Sequence, residues 1–178
     1  MNIIVTPRLL LRPLAETDLA EFIQLYEPLA IGYTKKTDEL FATFTSEFRL
    51  QGWGVFAVID RREKKFIGTC GLCLAPASTA VELIVRFIPE AHGKGYATEA
   101  AKQIVQKAFS EWGISHIIAT AAIENTPAIK VMKKIGMSPC SELPLEFETT
   151  YEIRLEQQQP PMRPFRHSEV EEYEFIPA

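Results

Sequence analysis

The sequence predicts an α+β fold, a mixed but mostly antiparallel central sheet flanked by helices on both faces. Two observations point there. The elements follow one another as β, α, α, then an antiparallel meander, then β–loop–α–β–α and closing strands. The apolar run from Val81 to Ile88, rich in β-branched residues, passes through a glycine turn directly into a stretch of helical periodicity. The 178 residues supply one set of such elements, enough for a single domain over 1–178 with an adequate core.

Ile3 to Leu11 reads as a short strand interrupted at Thr6-Pro7, with Arg8 and Arg12 framing Leu9-Leu10-Leu11. Thr17-Asp18 followed by Glu21 supplies capping chemistry for a helix whose apolar side carries Leu19, Phe22, Ile23 and Tyr26. Pro28 ends or bends it. Lys36 to Gln51 predicts a second helix, facing inward through Leu40, Phe41, Phe44, Phe48 and Leu50. Gly52-Trp53-Gly54 punctuates, and Val55 to Ile59 is a strand. Asp60 to Lys65 is a charged hairpin connection to the returning strand Phe66 to Leu74. Pro76-Ala77-Ser78 then turns the chain into the strand that precedes the glycine turn.

Beyond that turn, Ala97, Ala101, Ile104, Val105, Ala108 and Phe109 mark one helical face. His116 to Ile123 is a strand, and Asn125-Thr126-Pro127 a turn that places Pro127 in the first turn of a helix running to Lys134. Gly136 suits the position just past its end. Residues 148–156 and 170–176 alternate with a period of two, notably Tyr151-Ile153-Leu155. The Gln- and Pro-rich stretch 157–164 is linker-like, so 157–178 reads as a C-terminal extension ending in a strand over 170–176.

Hydrophobic content of 47% and charged content of 24% are those of an ordinary soluble protein. A net charge of −4 gives no global electrostatic case for nucleic acid, and mild acidity suits a cationic, amine-bearing substrate. No apolar run approaches ~20 residues, so no membrane span is expected, nor does the N-terminus resemble an export signal. Three cysteines without secretory context argue for reduced thiols and a cytoplasmic protein.

The segment His92-Gly93-Lys94-Gly95-Tyr96-Ala97-Thr98 carries the most chemistry. Glycines at 93 and 95 permit positive φ, so several N–H groups can converge at the positive end of a helix, an anion cradle suited to a diphosphate. The nucleotide-triphosphatase pattern fails because Gly95 follows Lys94 where Ser or Thr is needed. The dinucleotide fingerprint fails at Thr98, where its third glycine belongs. A plain strand-to-helix turn remains open. The segment resembles the Gln/Arg-x-x-Gly-x-Gly/Ala acyl-CoA loop of the GCN5-related N-acetyltransferases (GNAT superfamily), with His92 in the first position. Its extended form, Gly-Lys-Gly-Tyr-Ala-Thr-Glu-Ala, resembles the branch holding the ribosomal-protein N-terminal alanine and serine acetyltransferases. A second signature agrees: Asn125-Thr126-Pro127-Ala128, then Lys134 and Gly136-Met137, resembles the family's Asn-x-x-Ala/Ser…Lys-x-Gly-Phe segment.

The resemblance implies acetyl-CoA as co-substrate, without a metal. It places the diphosphate on residues 92–98 and the pantetheine arm along the backbone of Val85, Arg86 and Phe87 and beside Asn125. On residues alone, Asn125 is equally a turn or cap residue. In related enzymes a backbone N–H of that strand polarises the thioester carbonyl, and no side-chain nucleophile is needed. By the same resemblance Glu82 is the general base that takes the proton of the attacking amine; the competing reading is a solvated carboxylate or a partner of Arg86. Family members that use an acid carry Tyr where Met132 stands, or Ser where Ala128 stands. Tyr33 and Trp53 are expected to line the acceptor site, with Phe44 equally suited to the core. Cys70 and Cys73 alternate onto opposite strand faces, so they read as core thiols.

The expected activity is acetyl transfer from acetyl-CoA to a primary amine, either a small amine-bearing molecule or a protein N-terminus. The alternative is a catalytically weak acyl-CoA-binding domain. A homodimer through the C-terminal extension is left open.

Overall fold

Eight strands of the computed structural model, which describes residues 3–27, 36–74, 80–140 and 148–155, lie side by side in one sheet. They are β1 (Ile4–Val5), β2 (Leu9–Pro13), β3 (Val55–Asp60), β4 (Phe66–Leu74), β5 (Val81–Phe87), β6 (His116–Ala122), β7 (Ser138–Pro139) and β8 (Glu148–Arg154), in the order β1-β2-β3-β4-β5-β6-β8-β7. The helices are α1 (Leu19–Tyr26), α2 (Thr37–Gln51), α3 (Tyr96–Ser110) and α4 (Thr126–Lys134). All neighbouring strands are antiparallel except β5 and β6, which α3 joins as a crossover.

Strand alternation sorts the side chains into two cores. Leu9, Leu11, Phe56, Val58, Cys70, Leu72 and Leu83 pack with Ala100, Ala101, Ile104 and Ala108 of α3, and Met132 of α4 joins the same cluster. On the opposite face Val55 and Cys73 pack with Phe22 and Tyr26 of α1 and with Leu40, Phe41 and Phe44 of α2. Ala100, Ala101 and Ala108 of α3 are fully buried and let its axis come close to the sheet, which places its N-terminus at the end of β5. Two β4 glycines allow similarly close approach between strands: a Cβ on Gly71 would stand 2.1 Å from the Gly54 carbonyl, and one on Gly68 2.2 Å from that of Arg86.

Four local expectations change. The strand interrupted at Thr6-Pro7 is a hairpin, with Ile4 opposite Leu11. Asp18 does not cap α1. It is buried, takes a bidentate bond from Arg12 at 2.6 and 2.7 Å, and accepts the Ala15 N–H at 2.8 Å, so a 3₁₀ turn over Glu16–Asp18 precedes the helix. Leu50 is 86% exposed, because two residues past Phe48 is the far side of a 3.6-residue helix. Leu155 lies past the end of β8 and is exposed. Gly136 ends α4 as expected, with φ 92° and the Met137 N–H on the Met132 carbonyl at 3.0 Å. Pro28, Tyr33, the turn at 76–78 and the extension 157–178 lie outside the described residues. No described helix is long and apolar enough to cross a membrane.

Candidate active site

The parallel strands β5 and β6 meet at one register pair, Glu82 with Ile118, while β5 stays paired with β4 as far as Phe87. No register pair between β5 and β6 follows it among the described residues, so the strands part like a V. The β5 edge inside that V can meet an extended ligand as an added strand would. Both strands end at the open side of the V, and each leads into a helix start, α3 after β5 and α4 after β6. Ligands of α/β sheets gather at such carboxyl ends, where helix dipoles converge.

The turn between β5 and α3 has the geometry of an anion cradle. Gly93 and Gly95 have φ of 72° and 80°, and the N–H groups of Gly93 through Thr98 have no acceptor among the described residues. The helical ladder starts only with the Glu99 N–H on the Gly95 carbonyl at 3.1 Å. A Cβ on Gly93 would meet no other atom within 4 Å, so the requirement for glycine there is conformational. The exposed His92 ring bonds the Phe87 carbonyl at 2.8 Å through Nε2, which must therefore donate, and this ties the strand end to the loop. Tyr96 directs its hydroxyl to Asp60 Oδ2 at 2.9 Å.

Glu82, Ile84 and Arg86 share the face of α1 and α2, and Arg86 lies over the Tyr26 ring at 4.7 Å. Burial pushes the Glu82 carboxyl above the usual range; a bond from the Thr120 hydroxyl pulls it back, and the charge of Glu148 adds to the rise. Thr120 and Glu148 stand on the neighbouring strands at the mouth of the V. Cys73, opposite Glu82, is pushed up to about 12 by burial first and then by Glu82 and Glu47. Cys70, on the other face, is raised by burial alone. Neither thiol is available as a thiolate.

Asn125, just past the end of β6, caps α4, its Oδ1 accepting the Ala128 N–H at 3.2 Å. Met132 is buried and Ala128 half-buried. Trp53 is half-buried and packs against the α3-side core, and Phe44 belongs to the α1–α2 core. Sequence reasoning passed over Thr120, Glu148 and Arg8. Arg8 reaches the glycine loop across 86 positions of sequence, a contact no local pattern announces.

A family model described as an acetyltransferase (GNAT) domain matches residues 8–138. The chain is 33% identical over 141 residues to the uncharacterized N-acetyltransferase YnaD of Bacillus subtilis (strain 168), across 75% of this chain and 81% of that one. An acetyltransferase structure from Agrobacterium tumefaciens str. C58 superposes with a TM-score of 0.76 at 22% identity, covering 86% of this chain and 95% of that one. A spermidine N-acetyltransferase from Vibrio cholerae, in complex with CoA and spermine, gives 0.69 at 22% identity, covering 85% and 98%.

Proposed function

The chain belongs to the GNAT family and is an N-acetyltransferase, and on that premise we propose that it moves an acetyl group from acetyl-CoA directly to a primary amine of a small cationic molecule. One observation carries this reading: Glu82, with raised proton affinity, sits where β5 and β6 separate, beside the strand edge that β6 leaves. The residues suit acetyl-CoA. The free N–H groups from Gly93 to Thr98, with Lys94 nearby in charge, would hold the diphosphate, and His92 would keep the loop on the strand end. The backbone of Val85, Arg86 and Phe87 and the Asn125 amide nitrogen would take the pantetheine arm.

When bound, acetyl-CoA supplies an activated thioester. The protein must then hold an amine, remove its proton and steady the carbonyl oxygen. Glu82 accepts the amine proton, directly or through water, and its raised pKa narrows the gap to the amine it deprotonates. Glu47, Glu82 and Glu148 set three carboxylates against the guanidinium of Arg86 on this side of the sheet, a balance that attracts a cation. A backbone N–H of β5 steadies the developing charge on oxygen. The high Cys73 and Cys70 pKa values oppose an acyl-enzyme route and favour direct attack. Ala128 and Met132 hold no transferable proton, so solvent or a residue outside this segment protonates the departing sulfur.

The acidic face and the spermine-bearing Vibrio complex support a polyamine-like acceptor over the protein N-termini suggested by the loop. Thiol-reagent detection of CoA release against spermidine, spermine and Ala- or Ser-initiated peptides tests this. Turnover with the amines is expected; turnover with peptides alone would reverse the acceptor, and calorimetry showing no CoA uptake would end the proposal.

A further inference from the structure

Arg8 stands at the turn of the β1–β2 hairpin, far in sequence from the glycine loop, yet it bonds both that loop and the first turn of α3. Its Nη1 donates to the Lys94 carbonyl at 2.7 Å, and its Nε to Glu99 Oε2 at 2.6 Å. Its backbone N–H meets Glu99 Oε1 at 3.1 Å, and the Thr6 hydroxyl meets the same oxygen at 2.6 Å. The guanidinium lies over the Tyr96 ring, 4.6 Å from its centre.

A trans peptide is planar, with its C=O and N–H pointing in opposite directions. Holding the Lys94 carbonyl toward Arg8 therefore turns the Gly95 N–H the other way, and that N–H has no acceptor among the described residues. Glycine adopts either sign of φ with ease, so the sequence of the loop does not choose this orientation by itself. Glu99 adds a second consideration. A carboxylate in the first turn of α3 favours the helix dipole but repels a diphosphate at the same end, and Arg8 offsets its charge.

We propose that Arg8 is a positioning residue that locks the Lys94–Gly95 peptide in the orientation that presents its N–H to the diphosphate of CoA. The guanidinium is required because only a planar fork spans the Lys94 carbonyl and Glu99 together. The inference rests on the CoA reading above, and one experiment separates the two. Calorimetry would measure CoA binding, and NMR titration pantetheine binding, to wild type, Arg8→Ala and Arg8→Lys, with the melting temperature recorded for each. CoA affinity is expected to fall about tenfold or more in both variants, as loss of a charge-assisted bond implies, with pantetheine affinity unchanged. Arg8→Lys keeps a charge beside Glu99 and should melt with the wild type, so a loss of CoA affinity there reports loop orientation and not folding. Wild-type CoA affinity in Arg8→Lys, or an equal loss for pantetheine, would overturn the lock. No CoA binding by the wild type would overturn the CoA reading and the lock with it.

Discussion

Burial where β5 meets β6 raises the affinity of Glu82 for a proton, and the consequence for stability is opposite to that for chemistry. Its folded pKa lies above the unfolded value, so it contributes stability that is complete below the unfolded pKa of 4.5 and lost as pH rises through the folded one. Glu82→Gln should therefore raise the melting temperature at pH 7 by a few degrees and leave it unchanged near pH 4. Turnover should fall on the order of 100-fold at neutral pH and less at high pH, where the amine is already unprotonated. Melting curves and a pH–rate profile check both; an unaltered profile would remove Glu82 from the reaction. Asn125 caps α4 through its side-chain oxygen, which accepts the Ala128 N–H.

Among the elements, β4 carries the tightest constraint, because it runs between β3 and β5 with glycines where neighbouring backbones approach. Gly71→Ala forces β3 away and should cost about 1–3 kcal/mol, read as a lowered denaturant midpoint. A wild-type midpoint would mean the strands adjust freely. The loop glycines differ in kind. Gly95→Ala meets only Arg8 Nη2, at 3.5 Å, so its cost is that of a left-handed L-residue, about 1–2 kcal/mol. CoA affinity should drop further than stability does, and calorimetry beside thermal melts compares the two.

For the molecule as a whole, acid should act through carboxylates that the fold holds below their usual range. Burial alone would lift Glu99, but the bonds from Thr6 and Arg8 outweigh it; Glu152 is likewise lowered by Arg154 and His116 against burial, and Asp60 by the Glu63 N–H foremost. Each contributes stability above its unfolded pKa that is lost as pH falls through the folded one. In Glu82→Gln, where the opposing effect of that carboxyl is removed, a melting temperature steady from pH 7 to 5 and falling below about pH 4 is expected. A decline already complete by pH 5 would point to other groups.

What the amino-acid order determined unaided was local: the glycine turn that opens α3, Pro127 inside the start of α4, Gly136 at its end, and the alternation that sends Cys70 and Cys73 to opposite faces. These follow from φ preferences and side-chain periods, which act over a few residues. Tertiary structure alone decided that Asp18 turns back to Arg12, that Arg8 holds the loop, and that Glu82 gathers Thr120 and Glu148 around it. Those relations depend on strand register and helix placement, which arise only when the whole sheet assembles and its two cores are buried together.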